Sequence, residues 1–580
     1  MKIFIDGKEI NAKEGQTILE TAKENGIEIP TLCYHSDLDI KATCRICVVE
    51  IKGKKELFTA CSTKVASGMK ISTNSPDVQR ARKINLELLF AQHCEECNDC
   101  IWGFDCKFLE LAKKFNVKIT RFSDRKKKFP VFQFGPALCF DSSKCINCRN
   151  CVDVCQKQTV NFLDVEDKGN ISDVIPSKNP KRDCVYCGQC ILHCPVGAFE
   201  AAGEFEDVEK FLKDKTKKII VQFAPSIRTS IGEEFGLQYG EVATDKLSAA
   251  IRKLGVYKVF DTSVGADFTT IEEANELVEK IKTGTLPCFS SCCPSWVKFI
   301  EFYYPEFIPN LATTRSPQVI LGGLIKTYWA KKENINPKDI VVVSIMPCVS
   351  KKYEIQKKEL EIDGLKPVDY VLTTRELAYL FKKYKIDLKN IAPEKADDPF
   401  GIPSGAGVIY GASGGVLESA LRTAYFKMTN SADLAKNKIP KIEFKEVRGM
   451  QGIKKAEIKI NGKTLKVAAV NGLGNARKIL EELKKNQKAY SAVEVMACFG
   501  GCIGGGGQPV PTDGKIRTER AKGLYKIDSE EKMRLADENP AIKKVYQDFL
   551  NEKEIIHKIC HTKYSKKQKE VKFKSQKAKI

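Results

Sequence analysis

The pattern of apolar and polar residues at the start of the chain predicts a small α+β unit. Apolar and polar residues alternate over residues 2–5, and the turn pair Asp6 and Gly7 follows, which indicates a β-hairpin. Thr17 can cap a helix that Gly26 would end. The apolar face of this helix would consist of Ile18, Leu19 and Ala22.

From about Glu204 onward, short apolar strands alternate with helical segments, which predicts an α/β domain. The predicted strands are Lys218–Phe223, Lys258–Asp261, Ile340–Met346 and residues 493–496. In such sheets, chemistry gathers at the carboxyl ends of the strands. Cys348 follows the third strand and Cys498 follows the fourth, so we expect a site at that edge.

The length of 580 residues predicts roughly three to five domains. The fractions of hydrophobic residues (43%) and charged residues (29%) are typical of a soluble globular protein. The longest apolar stretch, Ile340–Met346, is shorter than the roughly 18 residues of a membrane helix. The first residues, MKIFIDGKEI, contain no visible secretory signal. We therefore expect a cytoplasmic protein that makes no membrane contact.

The formal net charge of +21 raises the question of a nucleic-acid partner. Thiolates bound to iron–sulfur clusters would lower this surplus by about nine charges. Residues 565–580 supply part of the rest, with seven lysines against one glutamate. No aromatic interleaving and no nucleic-acid fold signature accompanies the basic residues. We predict a lysine-rich solvated surface without nucleic-acid binding, and docking of an acidic protein is the alternative.

The 24 cysteines are the unusual feature of the composition, because most stand two or three residues from another cysteine. Such spacing suits ligands of one metal centre better than disulfides, which usually join separated segments. In a cytosolic chain, clustered cysteines indicate metal-binding or catalytic sites. We therefore predict that most of them bind metal.

The first cysteine group predicts a two-iron centre. A [2Fe–2S] cluster needs four thiolates, and a C…CxxC…C pattern can supply them from one long loop and a returning strand. The pattern resembles the N-terminal [2Fe–2S] domain of hydrogenases and of the large iron–sulfur subunit of complex I. A four-cysteine zinc site is the alternative. The cysteines concerned are Cys33, Cys44, Cys47 and Cys61.

The next group has the pattern HxxxCxxCxxxxxC, which in isolation would suggest structural zinc. Its position between two iron–sulfur regions argues against zinc. The pattern resembles the His-ligated [4Fe–4S] segment of the same two families. Cys94 is adjacent to the histidine and could replace it as a ligand, but the histidine matches the spacing better. The predicted ligands are His93, Cys97, Cys100 and Cys106.

Two copies of CxxCxxCxxxC follow as an internal repeat, which is typical of bacterial two-cluster ferredoxins. In this motif, the fourth cysteine of each run binds the cluster of the other run. One predicted [4Fe–4S] cluster has the ligands Cys145, Cys148, Cys151 and Cys194. The other has the ligands Cys155, Cys184, Cys187 and Cys190. Two closely spaced clusters in one compact unit suit electron transfer.

The pattern around the glycines does not indicate a nucleotide site. Gly472 and Gly474 lie between a strand and a helix, but Arg477 stands where a third glycine belongs, so we predict a plain turn. No Walker loop and no flavin or NAD site is visible in the sequence. The glycine run at 504–507 would instead let the backbone approach a bulky cofactor.

Three longer segments resemble the signature motifs of [FeFe]-hydrogenases: SSCCPSW at 290–296, MPCVSKKYE at 346–354 and EVMACFGGCIGGGGQP at 494–509. IIHKICHTKY at 555–564 is similar to the family's C-terminal tail. The resemblance covers nearly the whole chain and is closest to the monomeric clostridial type. It implies a multidomain α+β and α/β protein with a ubiquitin-like [2Fe–2S] domain at 1–78, a His-ligated [4Fe–4S] segment at 79–125, a 2[4Fe–4S] ferredoxin-like module at 126–205, an α/β H-cluster domain at 206–565 and a basic tail at 566–580.

The resemblance also implies an H-cluster, which is a [4Fe–4S] cubane joined to a two-iron subsite with CO, cyanide and dithiolate ligands. Lys351 would donate a hydrogen bond to one cyanide, with Glu354 as its ion-pair partner. Cys502 would bridge the cubane and the two-iron subsite. The ligands of the cubane would be Cys293, Cys348, Cys498 and Cys502. The other contacts of the two-iron subsite would come from Pro225, Ser226, Gln318, Met346 and Met496.

For protons, the resemblance implies a relay through the Cys292 thiol and the carboxyl groups of Glu273 and Glu276, which share one helix face. Ala312 stands where the family usually has a relay serine, and alanine has no hydroxyl to pass a proton. We expect a water to take its place, because two carboxyl groups would hold it. A different route, or a neighbouring hydroxyl, is the alternative. The neighbouring hydroxyls belong to Thr313 and Thr314.

The activity implied by the resemblance is reversible reduction of protons to H₂. Ferredoxin or flavodoxin would deliver electrons through the accessory clusters, and hydrogenase maturation proteins would assemble the two-iron subsite. The alternatives are a non-catalytic cluster-assembly scaffold and a sensory hydrogenase, although no signalling domain is apparent in the sequence. The cysteines left without a role, which we predict to be spare thiols, are Cys94, Cys139, Cys288 and Cys560.

Overall fold

The computed structural model describes residues 1–93, 106–122, 131–168, 171–214, 216–428, 443–460, 462–570 and 574–576. Three cysteines of the predicted His93 centre and its surroundings, Cys94, Cys97 and Cys100, lie outside the described residues. Every cysteine within the described residues is a free thiol. Free thiols in close groups are what metal ligation requires.

The N-terminal domain is a five-stranded sheet with one helix. Its elements are β1 (Lys2–Ile5), β2 (Lys8–Asn11), α1 (Ile18–Glu24), β3 (Val48–Ile51), β4 (Leu57–Thr59) and β5 (Lys70–Ser72), with the strand order β2-β1-β5-β3-β4. The predicted hairpin is confirmed, because β1 and β2 pair antiparallel around Asp6 and Gly7, both with positive φ. Thr17 caps α1 as predicted, and Glu20 completes a capping box.

The predicted ferredoxin-like module lies in the sequence between this domain and the predicted H-cluster domain, which is called the catalytic domain below for its predicted role. Its elements and those leading to it are α2 (Pro76–Phe90), α3 (Lys107–Lys114), β6 (Val131–Phe134), β7 (Leu138–Asp141), α4 (Asn150–Lys157), β8 (Leu163–Lys168), β9 (Ile171–Pro176), α5 (Gln189–Leu192) and β10 (Phe199–Ala201). The two short helices α4 and α5 belong to the two cysteine repeats and contact each other. The repeat in sequence is therefore a repeat in structure.

The catalytic domain contains two four-stranded sheets. Its strands are β11 (Lys218–Phe223), β12 (Lys258–Asp261), β13 (Cys288–Phe289), β14 (Ile340–Met346), β15 (Tyr370–Thr373), β16 (Ile453–Ile460), β17 (Lys463–Asn471) and β18 (Ala492–Met496). One sheet has the order β12-β11-β14-β15 and is wholly parallel, and the other has the order β13-β18-β17-β16. The predicted strands are confirmed, with one additional residue at the start of β18.

Helices pack on both sheets, and β11, β14 and β18 are buried almost throughout, which explains their continuous apolar runs, whereas the edge strand β16 has several exposed residues. The helices of the catalytic domain are α6 (Phe205–Lys213), α7 (Thr244–Lys253), α8 (Thr262–Thr283), α9 (Pro294–Tyr303), α10 (Pro317–Leu324), α11 (Ala330–Lys332), α12 (Ser350–Glu354), α13 (Thr374–Lys383), α14 (Gly405–Val408), α15 (Gly415–Met428), α16 (Leu473–Lys485), α17 (Gly514–Glu530), α18 (Pro540–Asp548) and α19 (Lys553–Cys560). Helix α8 is the longest of these. Asp261 caps its start, and it packs against α10, α14 and α15.

The basic tail packs on the ferredoxin-like module. Strand β19 (Lys574–Gln576) pairs antiparallel with β6, and the Lys569 ammonium donates to the carbonyl oxygens of Ser177 and Asn179. Glu570 forms an ion pair with the buried Lys298 at 2.9 Å. This part of the tail is therefore bound to the protein, although Lys566 and Glu570 are exposed, and the lysine-rich solvated surface stays a prediction.

The glycine run at 504–507 mainly permits contact between two protein backbones. Gly506 lies against Gly188 of the ferredoxin-like module, and a Cβ on Gly504 would meet the Phe499 carbonyl oxygen at 2.2 Å. Only Gly505 of the run lines the cavity described below. The predicted approach to a cofactor thus concerns Gly505, Gly506 packs against the ferredoxin-like module, and Gly504 and Gly507 pack against Phe499 and Thr373 of their own domain. At Gly474, a Cβ would likewise meet the Lys157 carbonyl oxygen at 2.3 Å.

Candidate active site

One cavity in the catalytic domain collects most of the predicted active-site residues. It has a volume of about 70 Å³. Segments that follow the carboxyl ends of β11, β14 and β18 form much of its wall, as expected for a parallel sheet. The predicted residues that line it are Pro225, Ser226, Cys292, Cys293, Gln318, Met346, Cys348, Lys351, Met496, Cys498 and Cys502.

The four predicted cubane ligands reach this cavity from four different segments. Cys293 precedes α9, Cys348 follows β14, and Cys498 follows β18, while Cys502 begins a short 3₁₀ turn. Burial raises the pKa of the Cys293 thiol to about 11, and it raises those of Cys498 and Cys502 further. Repulsion among these thiolates adds to each shift. Such a group ionises only beside a compensating cation, so the thiols fit a metal cluster.

A polar network around Glu354 holds two of the predicted contacts of the two-iron subsite. The Lys351 ammonium donates to Glu354 Oε2 and to the Cys292 carbonyl oxygen, each at 3.0 Å. Gln318 Nε2 donates to Glu354 Oε2 at 2.6 Å, and Ser316 Oγ donates to it at 2.8 Å. The predicted ion pair of Lys351 and Glu354 is therefore present. Glu354 lies behind the wall and orients the residues that face the cavity.

Two buried polar atoms at the cavity have no hydrogen-bond partner among the described residues, namely Ser226 Oγ and Gln318 Oε1. Unpartnered buried polar atoms are rare in proteins and normally meet a ligand or a water. The rest of the wall is largely apolar and includes Met346 and Met496. A bulky cofactor with a few polar ligands fits this combination of four thiols, an ammonium group and apolar walls.

Cys292 and Glu273 lie at the inner end of the predicted proton relay. Cys292 lines the cavity, and burial together with the nearby charge of Glu273 raises its pKa well above that of an ordinary thiol. The Ser291 N–H donates to Glu273 Oε1 at 3.4 Å. Burial raises the pKa of the Glu273 carboxyl to about 8. Both groups can therefore carry a proton near neutral pH.

Glu276 occupies a different environment one helical turn further along α8. Thr313 donates to it through its N–H and, at 2.7 Å, through its hydroxyl, and Thr314 Oγ1 donates at 2.9 Å. These hydrogen bonds and the nearby His561 outweigh burial and hold its pKa below the usual range. The hydroxyls of Thr313 and Thr314, which were the predicted alternatives to the missing serine, therefore both donate to Glu276.

Beside Glu273, a small cavity adjoins the position of the missing hydroxyl. It has a volume of about 30 Å³ and is lined by Glu273, Cys288 and Ala312, among others, but not by Glu276. Cys288, predicted to be a spare thiol, thus faces the relay region. Burial raises the pKa of this thiol to about 12. The space is large enough for a water beside Glu273, which is the expected replacement for the serine.

The four cysteines of the predicted [2Fe–2S] site are buried and close together. The Cys47 and Cys61 sulfur atoms are 3.4 Å apart, and the Cys33 and Cys44 backbone N–H groups each donate to the sulfur of the other residue at 3.5 Å. Backbone N–H donors stabilise thiolates and cluster sulfur. The loop between α1 and β3 supplies three of the four thiols, as the sequence pattern predicts.

His93 is buried, and its Nδ1 contacts the Lys144 carbonyl oxygen at 2.8 Å. Metal-bound histidines typically direct their second ring nitrogen to such a carbonyl group, so this contact suits a ligand role for Nε2. Cys106 caps α3, where the Leu109 N–H donates to its sulfur. The two other predicted ligands lie outside the described residues, so this centre stays a prediction.

The ferredoxin-like module brings its cysteines together in the crossed arrangement. A cavity of about 30 Å³ is lined by Cys155, Cys184, Cys187 and Cys190, so one cysteine of the first run joins three of the second. The charge of Cys194 contributes to the raised pKa values of the first-run thiols, which places it with that group. The first-run thiols concerned are Cys145, Cys148 and Cys151.

Part of the cavity wall consists of residues that the sequence motifs do not indicate. Thr262 and Ala266 of α8 and Tyr410 line the cavity, and the Thr270 hydroxyl donates to the Tyr410 oxygen at 2.9 Å. The small-residue run GASGG at 411–415, directly after Tyr410, is the signal that could have indicated close packing there. The remaining unassigned cysteines, Cys139 and Cys560, line none of the cavities described above.

A family model described as the C-terminal domain of the iron only hydrogenase large subunit matches residues 217–506, which include every element of the cavity wall named above. The chain belongs to the iron-only hydrogenase family. A model of the iron hydrogenase small subunit matches residues 514–567 of this hydrogenase. A 2Fe-2S iron-sulfur cluster binding domain matches residues 1–76, and a 4Fe-4S dicluster domain matches residues 144–198.

Several known proteins resemble this hydrogenase along its whole length. Iron hydrogenase 1 of Clostridium pasteurianum is 40% identical and the match covers 97% of this chain and 100% of the relative. The NADP-reducing hydrogenase subunit HndD of Solidesulfovibrio fructosivorans is 38% identical over 98% of this chain and 99% of the relative. The cytosolic Fe-S cluster assembly factor narfl of Danio rerio is 30% identical but matches 60% of this chain and 86% of its own.

Solved structures agree with the family. A variant of the [FeFe]-hydrogenase HydA1 from Chlamydomonas reinhardtii is 36% identical, with a TM-score of 0.55, and the match covers 62% of this chain and 98% of that one.

The described residues of the hydrogenase contain no helix long and apolar enough to cross a membrane.

Proposed function

We propose that this hydrogenase is a cytoplasmic enzyme that reduces protons to H₂ reversibly with electrons from ferredoxin. The observation that carries the proposal is the contact between the catalytic cavity and the neighbouring cluster site. Cys498 lines the cavity, and its sulfur lies 3.8 Å from the carbonyl oxygen of Cys187. Cys187 lines a cluster site of the ferredoxin-like module. Electrons can therefore pass from the module to the cavity over a short distance.

The same proximity continues toward the N-terminus. The charge of Cys33 contributes to the raised pKa of Cys148, so the [2Fe–2S] thiols adjoin the first site of the ferredoxin-like module. The charge of Cys190 contributes in the same way to the raised pKa of Cys151, so the two cluster sites of the module are also adjacent. We infer a chain of accessory clusters running from the N-terminal domain to the catalytic cavity. The fully loaded protein would then contain roughly 20 irons.

The residues at the cavity have separable tasks in this proposal. The H-cluster, when bound, supplies the iron at which two protons and two electrons combine to give H₂. Cys293, Cys348, Cys498 and Cys502 would hold the cubane, with Cys502 also holding the two-iron subsite. Lys351 and Ser226 would donate to its cyanide ligands, and Glu354 keeps the Lys351 ammonium in place.

Protons would enter and leave through Cys292, Glu273 and Glu276. Cys292 adjoins the cubane ligand Cys293 without being needed as a ligand, so its thiol is free to exchange a proton with the cofactor side of the cavity. Glu273, with a pKa of about 8, is mostly protonated at neutral pH and can donate its proton and take one back. Glu276 has a lowered pKa and would receive protons from the outside.

Infrared spectroscopy combined with a hydrogen assay tests the proposed enzyme. After expression with the maturation proteins, we expect carbonyl and cyanide bands together with H₂ evolution from reduced ferredoxin. Protein made without maturation should contain the cubanes but show neither bands nor activity. Carbonyl bands absent from active, fully matured protein would contradict the H-cluster assignment. Iron–sulfur clusters without any H₂ activity after maturation would favour a cluster-assembly scaffold.

NADP is the second candidate electron partner, because the relative HndD is named as a subunit of an NADP-reducing hydrogenase. No nucleotide site was found in the sequence, so direct use of NADP would require other subunits. The purified chain should therefore evolve H₂ with reduced ferredoxin and remain inactive with NADPH. Activity with NADPH alone would place the nucleotide site on this chain and contradict the ferredoxin proposal.

Two substitutions test the proton relay. Cys292→Ala should abolish most turnover while keeping the carbonyl bands, because it removes a proton carrier but no ligand. Ala312→Ser should leave turnover equal or higher, because it restores a hydroxyl between Glu273 and Glu276. A sharp loss in Ala312→Ser with no effect of Glu276→Gln would show that protons follow another path.

A further inference from the structure

His561 connects two carboxyl groups of α8. Its Nδ1 lies 3.2 Å from Glu276 Oε1, and its Nε2 lies 3.3 Å from Glu272 Oε2. Thr313 Oγ1 lies 2.9 Å from the same Nδ1 and donates to Glu276 at 2.7 Å. One imidazole ring therefore bridges the outer carboxyl group of the proposed relay and a second carboxyl group that the relay does not use.

Backbone contacts hold this ring in place. Residues 313–315 run beside the segment that follows α19: the Thr562 N–H donates to the Thr313 carbonyl oxygen, and Arg315 Nε donates to the His561 carbonyl oxygen. The isolated bridge between Thr314 and His561 belongs to the same pairing. The position of the imidazole is therefore fixed by paired backbone rather than by a loose surface loop.

Both neighbouring groups are suited to exchanging protons with a histidine. An imidazole with both nitrogens engaged by carboxylates can receive a proton at one nitrogen while it releases one from the other. Glu272 also accepts a hydrogen bond from the Tyr546 hydroxyl, which keeps one of its oxygens directed away from the histidine. The His561 side chain is 13% exposed, against 7% for Glu272 and 16% for Glu276, so solvent reaches this group of residues from the Glu276 side.

We propose that His561 is a proton-relay residue that carries protons between Glu272 and Glu276, so that this pair forms the outer end of the proton route. A proton held by Glu272 passes to Nε2 of His561. The proton on Nδ1 moves to Glu276 directly or through the Thr313 hydroxyl. No group is oxidised or reduced. The ring is left as the Nε2–H tautomer, and it regains its starting state when a proton that Glu276 takes from solvent passes back to Nδ1 and the Nε2 proton returns to Glu272. The inference rests on the proposed relay through Glu273 and Glu276.

The charges that face the ring are consistent with this task. Glu272 and Glu276 approach from α8, and Lys427 of α15 is close enough to Glu272 for their charges to interact. Arg315 contacts the backbone of His561 rather than its ring. The ring of His557 lies 5.7 Å away on α19, one helical turn earlier. The negative charges of Glu272 and Glu276 outweigh the other charges near the ring, so the imidazole readily takes up a proton.

His561→Ala in the matured holoenzyme tests the proposal by chemical rescue. We expect H₂ evolution to fall about tenfold, a smaller loss than removal of a directly acting acid–base group causes. The loss should grow as pH rises, because free protons become scarce, and added imidazole should restore most of the rate. The carbonyl bands should stay unchanged. His561→Gln, which keeps hydrogen-bonding capacity but cannot titrate, should show the same loss, so a folding defect in one variant leaves the test intact.

His557→Ala is the matched control, because His557 lies on the same helix, is exposed and has no place in the relay. It should keep full activity and show no response to imidazole. Full activity of both His561 variants beside an inactive Glu276→Gln would overturn the inference but leave the proposed relay standing. A loss without imidazole rescue and without a changed pH profile would make His561 merely structural. Unchanged turnover in Cys292→Ala and Glu276→Gln would remove the relay itself.

Discussion

Gly188 of the ferredoxin-like module is in backbone contact with Gly506 of the catalytic domain. A Cβ added to Gly188 would lie 2.9 Å from the Gly506 Cα, and one added to Gly506 would lie 2.6 Å from the Gly188 Cα. Neither position has space for a side chain, and Gly188 also has a φ of +69°. This contact keeps the cluster site of Cys187 beside the catalytic cavity.

The first prediction concerns this contact. Gly188→Ala should lower the free energy of unfolding by about 1–3 kcal/mol through overpacking against backbone, in addition to about 1 kcal/mol of conformational strain. Gly236→Ala is the control, because Gly236 has a similar left-handed conformation but no atom within 4 Å of the added Cβ. Thermal unfolding of the two variants measures the difference. Equal melting temperatures would show that the domains can separate slightly at no cost.

The second prediction concerns the bridging cysteine. Cys502→Ser should remove the infrared carbonyl bands and H₂ evolution, because a serine hydroxyl is a poor ligand for iron. The electron paramagnetic resonance signals of the accessory clusters should remain, since Cys502 lies at the catalytic cavity and outside the accessory sites. Normal H₂ evolution by this variant would contradict the ligand assignment.

The third prediction concerns metal content. Fully matured protein should contain roughly 20 irons per chain, and His93→Ala should remove about four of them. Iron and zinc analysis of the wild type and this variant measures both quantities. His557→Ala is a suitable comparison, because His557 is exposed and has no predicted ligand role. Stoichiometric zinc that disappears with His93 would identify the centre as a structural zinc site instead.

The fourth prediction concerns the pH dependence of stability. Burial opposes protonation of His561, but the hydrogen bonds and charges of Glu272 and Glu276 raise its pKa from 6.5 to about 9. A raised pKa means that the folded state binds the proton more tightly than the unfolded state. The ion pairs therefore stabilise the fold fully below pH 6.5, and this contribution is lost as the pH rises through about 9.

Melting curves of wild type and His561→Gln measure this effect. The wild type should be more stable by on the order of 1 kcal/mol at pH 6, after allowance for solvent screening. The difference between the two proteins should shrink steadily and vanish near pH 10. A difference that does not change with pH would show that packing of the ring, rather than its charge, stabilises the fold.

The sequence determined the local structure and the chemistry of this protein. Strands such as Ile340–Met346 could be predicted from a continuous apolar run, and the hairpin at Asp6 and Gly7 from a two-residue turn, because both depend on neighbouring residues. The family followed from three motifs, since metal ligation and a covalently held cofactor tolerate few residue types at each position.

Only the tertiary structure decided which separate segments meet. Nothing local to HTKY at 561–564 indicates that its histidine lies between Glu272 and Glu276, almost 290 residues earlier in the chain. The hydrogen bonds from the Thr313 and Thr314 hydroxyls to Glu276 also join segments that are far apart in the sequence. The same is true of the contact between Gly188 and Gly506. Such contacts depend on how whole helices and domains pack, and packing is set by the combined shape of many side chains rather than by any short pattern.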